Sequence, residues 1–396
     1  MFSENRMLAS LALIGGLVCM LAACAAPELR GTGDLGVVIE RSAGSVQVID
    51  ASARRSLGRI EGLGDLSHAS VVFSRDGRFA YVFGRDGGLS KIDLLTRRIA
   101  ARINQAGNSI GGAVSQDGRW VAAQNYTPGG VKVFDAETLA LVADVPAEYA
   151  PGKLSKVVGL VDVPGNRFVF SLFDGGEIWV LDPAAPPASR VTRFSKIGRE
   201  PYDGFVTPDG RYYLAGLFGE DGLALLDLWH PEAGVKRILP NYGRGEEKLP
   251  VFKMPHLRGW AVAGRKAYLP AIGRHELLVV DTATWSELGR VKVAGQPVFA
   301  VARPDGRQVW VNFAFPDNGK LQVIDTETGG VLETLEPGRA VLHLEFSPRG
   351  GELWVSSRDD NRVTVYDTLT RKPLATLPAL HPSGIFLTSR AHRMGF

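Results

Sequence analysis

Histidines, arginines and aromatic residues gather in short stretches spread along this 396-residue chain. They include His68, Arg85-Asp86, Asn125-Tyr126, the run Gly198-Arg-Glu-Pro-Tyr202-Asp203, Met254-Pro-His256, Arg274-His275, Phe313 to Asp317, His343, Arg358-Asp359-Asp360 and His381. Imidazole binds metals or moves protons near neutral pH. Guanidinium pairs with carboxylates through two parallel hydrogen bonds and stacks on rings. A surface carrying both suits a flat, conjugated ligand that bears carboxylates. Other chemistry lacks its motif: there is no H-E-x-x-H, G-x-S-x-G or P-loop. Gly31-Thr-Gly33-Asp-Leu-Gly36 matches a dinucleotide fingerprint, and Asp50 lies downstream. That fingerprint has to follow a strand and open a helix to aim amides at a pyrophosphate. Here it precedes two strands, so no NAD or flavin site is expected.

A repeat positions these stretches. An alternating apolar run ending in Asp closes at Asp50, Asp93, Asp135, Asp182, Asp227, Asp281, Asp325 and Asp367, at intervals of 42 to 54 residues. Between the copies stands a tight turn that feeds an aromatic strand, as in Ser74-Arg-Asp-Gly77-Arg-Phe-Ala-Tyr81, Pro208-Asp-Gly210-Arg-Tyr-Tyr213 and Pro304-Asp-Gly306-Arg-Gln-Val-Trp310. Asp-Gly supplies the positive φ that a two-strand connection needs. The runs have period 2 and are rich in Val, Ile, Tyr and Trp. Each unit therefore reads as four antiparallel strands, A to D, which is one propeller blade.

The predicted fold is an all-β, eight-bladed β-propeller over residues 35–396. An open array would leave sheet edges exposed. Gly36-Val-Val-Ile-Glu40 reads as a B strand with no A strand before it. Ser383-Gly-Ile-Phe-Leu-Thr-Ser389 reads as an A strand with no B strand after it. Pairing of these N-terminal and C-terminal strands closes the ring. The repeated A–B and C–D turns then lie at one end. The irregular B–C and D–A loops, with the histidines and arginines, lie at the other, where propeller ligands are expected. The 47 glycines are spread along the chain as turn chemistry, and 45% hydrophobic residues exclude global disorder. A net charge of +3 gives no reason to expect nucleic acid as a partner.

Residues 1–23 read as a lipoprotein signal peptide and 24–34 as an anchor linker. Arg6 precedes the apolar run Leu8 to Leu21, and Leu21-Ala22-Ala23-Cys24 resembles a bacterial lipobox. The expectation is a periplasmic protein with lipid on Cys24. Ala25 rather than Asp after the cysteine points to the outer membrane. Of two cysteines, Cys19 leaves with the signal and Cys24 carries lipid. No C-x-x-C-H is present, so no covalently attached c-type haem is expected.

The stretch His68-Ala-Ser-Val-Val-Phe-Ser-Arg-Asp-Gly77 through Gly84-Arg85-Asp86 to Asp93 resembles the first blades of the haem d1 domain of cytochrome cd1 nitrite reductases. Asn108-Ser-Ile-Gly-Gly112, Leu228-Trp-His-Pro231, Pro240-Asn-Tyr-Gly-Arg-Gly245, Met254-Pro-His256 and Ser383-Gly-Ile-Phe386 extend it over nearly the whole chain, which is similar to exported haem d1 biosynthesis proteins made of this domain alone. The resemblance implies an iron isobacteriochlorin with several carboxylates as ligand, haem d1 or its precursor, over the open face. It makes His68 the axial iron ligand. Arg85, Arg199 and Arg358 would meet carboxylates, and Asn125, Tyr126 and His343 would join the contact surface. Tyr202, Asp203 and His256 are candidates for distal acid–base roles. The reductases carry a fused cytochrome c domain and two distal histidines. Tyr202 stands where one of these aligns, so nitrite reduction is not expected.

Three functions stay open. The first is processing of a haem d1 precursor, by dehydrogenation or carboxylate chemistry, in maturation of the dissimilatory nitrite reductase. The second is a non-catalytic periplasmic carrier of that ligand. Both imply other haem d1 biosynthesis proteins and the reductase as partners. The third is a propeller scaffold without a small-molecule ligand.

Overall fold

The structure, a computed structural model, describes residues 30–242 and 260–390. Among the described residues, eight four-stranded antiparallel sheets are formed. We number the blades in ring order. Blade 1 takes its inner strand from the C-terminal end: Pro382–Leu387 pairs with Leu35–Glu40, followed by Ser45–Asp50 and Arg55–Ile60. The expected N- to C-terminal closure is thus present. The closing strand begins and ends slightly earlier than the sequence reading placed it. Blade 2 starts at Ser70–Phe73, blade 3 at Asn108–Val114, blade 4 at Val157–Val163 and blade 5 at Pro201–Val206. Blades 6, 7 and 8 start at Ala261–Ala263, Pro297–Ala302 and Val341–Phe346. A two-stranded hairpin, Glu148–Ala150 with Lys153–Leu154, is inserted between blades 3 and 4 and was not expected. No helix follows Gly31 to Gly36. Leu35–Glu40 is a strand, so the dinucleotide match lacks its context, as the sequence reading holds.

The two repeated phrases are physically one device. In the Ser-Arg-Asp-Gly turn, Oδ1 of Asp76 accepts from the Ser74 hydroxyl at 2.5 Å and from the Arg78 amide at 3.1 Å, while Gly77 sits at φ +68°. Arg78 then reaches the Asp that ends strand C, its Nη2 donating to Asp93 at 2.8 Å. Arg211 with Asp227 and Arg265 with Asp281 repeat that pair at 2.8 Å. The other oxygen of Asp93 accepts from the amides of Leu95 and Thr96 and so shapes the C–D turn. The arginine's bond holds Asp227 and Asp281 below the usual carboxylate range.

Between blades, aromatic residues supply the bulk. Trp310, Trp354, Tyr81, Tyr213 and Tyr268 on B strands and Trp179 on the C strand of blade 4 are fully buried. The tyrosines also satisfy their hydroxyls across the seam: Tyr81 donates to the Ala136 carbonyl at 2.7 Å and Tyr213 to that of Gly159 at 3.0 Å. Burying a large ring and pairing its polar tip stabilises the two tyrosine seams, whereas Trp354 Nε1 is buried without a partner.

Candidate functional site

The inner strands line a central cavity of ≈ 300 Å³. Its mouth opens among His68, Tyr126 and Tyr202, at the end with the irregular loops. Its floor lies near Arg75 and Arg390, at the end with the repeated turns. Two ion pairs stand there: Arg75 with Asp162 at 2.9 Å and Arg390 with Glu345 at 2.8 Å.

Bulges aim side chains into this cavity. Pairing register shifts between Val158 and Val161, Tyr202 and Phe205, Pro297 and Ala300, and Val341 and Leu344. A bulge leaves a residue out of the ladder and re-aims it. The amides released are met by side chains. Leu160 donates to Gln124 Oε1 at 3.0 Å, Phe299 to Asn312 Oδ1 at 2.9 Å and His343 to Ser356 Oγ at 2.9 Å. Leu160, Phe299 and His343 all line the cavity.

His343 was expected at the loop end. It lies on the inner strand Val341–Phe346, within its bulge. Its Nδ1 accepts the Ile385 amide at 3.2 Å. Its ring stands 6.0 Å edge-on from Phe299 and 5.3 Å from Phe386. Burial, with a smaller effect of Arg390, pushes its pKa down to about 3, so the ring is neutral.

At the rim, Gly84-Arg85-Asp86 explains itself. A Cβ on Gly84 would stand 2.7 Å from Asp86 Oδ1 and 3.2 Å from the Asp65 carbonyl. Asp86 accepts from the Gly88 amide at 2.9 Å and pairs with Arg102 at 3.0 Å. With the turn so fixed, Arg85 projects into solvent. Arg41, which sequence reasoning missed, stands beside it. Its guanidinium donates to the Ser67 carbonyl, next to His68. Burial and then the charge of Arg358 pull Arg41 below its ordinary pKa, and Arg85 acts in the same direction. Arg41 therefore stands within the field of both Arg358 and Arg85. The nearest carboxylates are engaged, Asp359 by Arg358 at 2.6 Å and Asp65 by the Ser67 amide at 2.8 Å. The signal that could have found Arg41 is its place in the B–C loop of blade 1, equivalent to Arg85 and Arg358 in their blades.

Tyr126 and Tyr202 meet at the mouth, their hydroxyls 3.2 Å apart, and Phe173 packs edge-on to Tyr202 at 6.2 Å. Asp203 follows on strand Pro201–Val206. Asn125 is spent elsewhere: buried, it exchanges two hydrogen bonds with Gln105, at 2.8 and 3.0 Å. It does not line the cavity, because its head group is turned to Gln105. Arg199 is 75% exposed, faces Glu220 at 3.8 Å and lies outside the cavity lining. His256 and Cys24 lie outside the described residues.

A tetrapyrrole brings four nitrogen donors of its own, so a protein needs to add only an axial ligand. The site fits that demand. Among the described residues no three His, Cys, Asp or Glu side chains could hold a bare ion, while His68 is an exposed imidazole on the rim. The cavity is at the small end for ligand sites, about 300–1,000 Å³.

The family model described as "Cytochrome D1 heme domain" matches residues 30–391. Protein NirF of Pseudomonas aeruginosa is 61% identical over 382 residues, covering 96% of this chain and 97% of that one. Protein NirF of Stutzerimonas stutzeri is 60% identical over 385 residues, covering 97% and 98%. Among solved structures, the dihydro-heme d1 dehydrogenase NirN in complex with DHE superposes with a TM-score of 0.79 at 27% identity, covering 92% of this chain and 77% of that one.

Proposed function

Because the chain belongs to the Cytochrome D1 heme domain family, among its NirF members, and so has a role in haem d1 biosynthesis or binding, we propose that it seats an iron isobacteriochlorin over the cavity mouth and processes it. The observation that carries this is the cluster of Arg41, Arg85 and Arg358 beside His68, at the rim of a cavity that Tyr126 and Tyr202 overhang. Guanidinium groups held close together make a receptor for the ligand's carboxylates, Arg41 and Arg85 directly and Arg358 by exchange of its bidentate pair with Asp359. His68 supplies the axial imidazole. The sequence offers no flavin or nicotinamide motif, so any redox step would depend on the tetrapyrrole itself or on an electron-accepting partner.

The protein's own contribution is orientation. Rim arginines fix the macrocycle's register by bidentate pairing. The Tyr126–Tyr202 pair sets a hydroxyl beside the ring, from which a proton can move to or from a peripheral group. The sequence offers Asp203 and His256 as further candidates for acid–base roles.

To separate processing from carriage, the full chain is incubated with haem d1 precursor, with and without an electron acceptor, and the recovered tetrapyrrole is weighed by mass spectrometry. A new mass is the expected result. Unaltered precursor in both arms removes the processing step and leaves the carrier reading, which the missing nucleophile motif favours.

We also assign this chain to the periplasmic side of the outer membrane, held by lipid on Cys24 and working with other haem d1 biosynthesis proteins and the reductase. Support comes from the lipobox sequence. Fatty-acid label should enter the protein in cells and disappear in Cys24→Ala; label that persists would refute the anchor.

A further inference from the structure

The C–D turns are built alike but do not carry the same charge. Counted from the Asp that ends strand C, the fourth and fifth residues are Arg54-Arg55 in blade 1, Arg97-Arg98 in blade 2 and Arg371-Lys372 in blade 8. In blades 3 to 7 those two positions hold no Lys or Arg. Ring closure makes blades 8, 1 and 2 neighbours, so the three basic pairs form one sector of the end that carries the repeated turns. Two members are engaged in the fold: Arg54 donates to Glu352 at 2.6 Å, and Arg371 pairs with Glu333. Arg55 stands 3.7 Å from Asp50 and is 58% exposed. Arg97, Arg98 and Lys372 are exposed and form no ion pair among the described residues. The same sector shows apolar side chains to solvent. Leu369 is 63% exposed, and Leu95, Ile99 and Leu374 are exposed as well. The turn itself fixes this display, because the amides of Leu95 and Leu369 donate to Oδ1 of Asp93 and Asp367, each at 3.0 Å.

The path toward the N-terminus starts from this sector. Thr32 Oγ1 donates to the Asp76 carbonyl at 2.8 Å, and Thr388 Oγ1 donates to the Thr32 carbonyl at 2.5 Å. These bonds tie the chain to the turn end of blades 1 and 2. Cys24 lies eight residues before Thr32, and eight fully extended residues span at most about 29 Å. A membrane that holds Cys24 therefore lies within that reach of Thr32. An anionic surface attracts exposed Lys and Arg, and exposed leucines beside them can enter its interface. We propose that the turn end of blades 8, 1 and 2 is a docking surface for anionic phospholipid headgroups. It holds the cavity mouth, at the opposite end of the ring, away from the bilayer. The inference rests on the lipid-anchor reading above and adds which face of the propeller meets the membrane.

The test measures partition of the full chain onto phosphatidylglycerol and phosphatidylcholine vesicles over a range of lipid concentrations. Cys24→Ala serves as the background, so that no fatty acid contributes. The apolar run Leu8 to Leu21 then acts alike on both lipids, and the ratio of the two partition coefficients isolates charge. The expected result is a preference for phosphatidylglycerol that disappears in about 1 M salt, where the Debye length is about 3 Å. Adding Arg97→Ser, Arg98→Ser and Lys372→Ser should reduce that preference about ten- to a hundredfold. Adding Lys236→Ser, Lys292→Ser and Arg307→Ser instead removes the same charge from exposed positions on blades 5, 6 and 7 and should leave it in place. Thermal unfolding establishes that each variant is folded. No preference in the background protein, or equal losses in the two triple variants, overturns the docking surface. Fatty acid on Cys24 in cells without that preference keeps the anchor and overturns the surface; the preference without fatty acid on Cys24 does the reverse. An acidic protein is the other class of partner for such a sector. Polyglutamate that binds the background protein, and binds the blade 8, 1 and 2 variant more weakly, while vesicles show no preference, overturns the lipid assignment.

Discussion

Alanine at position 68 should leave a folded chain whose haem d1 spectrum no longer carries an imidazole-ligated iron. His68 is an exposed loop residue between the D strand of blade 1 and the A strand of blade 2, outside every hydrophobic cluster. Exposed loop substitutions of this kind change stability by about 0.5 kcal/mol or less. Coordination to iron is a different matter, because neither His343 nor His381 is placed to replace it. His343 has its protonated nitrogen toward the cavity, and His381 is turned toward the Ser42 hydroxyl at 3.0 Å. The expected result is an altered visible spectrum, affinity at least about tenfold lower, and recovery of the spectrum on adding free imidazole. Identical spectra for wild type and His68→Ala would remove His68 as the ligand and leave the arginine cluster as the whole of the recognition.

The second large effect concerns closure of the ring. Glu40 ends the first strand and its side chain is wholly buried. It accepts hydrogen bonds from Ser45 Oγ at 2.7 Å, Gln47 Nε2 at 2.8 Å and the Leu380 amide at 2.9 Å, and it pairs with Arg59. Leu380 leads directly into the closing strand, so this one carboxylate ties the two ends of the propeller together. Glu40→Ala strands several donors and should cost about 3–5 kcal/mol in urea unfolding. Burial raises the Glu40 pKa, but Arg59 and the other donors more than offset it, and the net shift is downward. A carboxyl depressed in the folded state contributes stability above its unfolded value, near 4.5. That contribution is lost as pH falls through the lower folded value. Wild type should therefore weaken below about pH 4.5 more steeply than Glu40→Gln. A change under about 1 kcal/mol for Glu40→Ala, or parallel acid curves, would show that closure rests on the strand ladder alone.

The fold was legible because its signal is redundant. Eight Asp-terminated runs and the Asp-Gly turns repeat the same local chemistry, and each copy reports the same blade. Even so, the pairing that joins the two phrases, Arg78 to Asp93 and its counterparts, is a contact across strands that spacing does not reveal. The rim was legible where a side chain sits on a loop, as with His68, Arg85 and Arg358. The inner wall was not, since its residues are aimed by bulges. A bulge carries no composition signature, and its cost is met by Gln124, Asn312 and Ser356 from other strands. That is why His343 was read as a loop residue and Phe299 went unnoticed. Asn125 misled for the opposite reason, because a polar residue near the working end was matched by Gln105, twenty residues earlier.

The central claim is that one tetrapyrrole binds at this mouth with its carboxylates on the arginine cluster. Absorption titration of the full chain with haem d1, run in parallel on wild type and on the combined variant Arg41→Ala, Arg85→Ala, Arg358→Ala, tests it most directly. The account predicts saturation at one equivalent for wild type and affinity lower by at least about a hundredfold for the variant, since charged hydrogen bonds contribute about 1.5–3 kcal/mol each. A wild-type spectrum that is only the sum of its parts, or equal affinities for the two proteins, would contradict it.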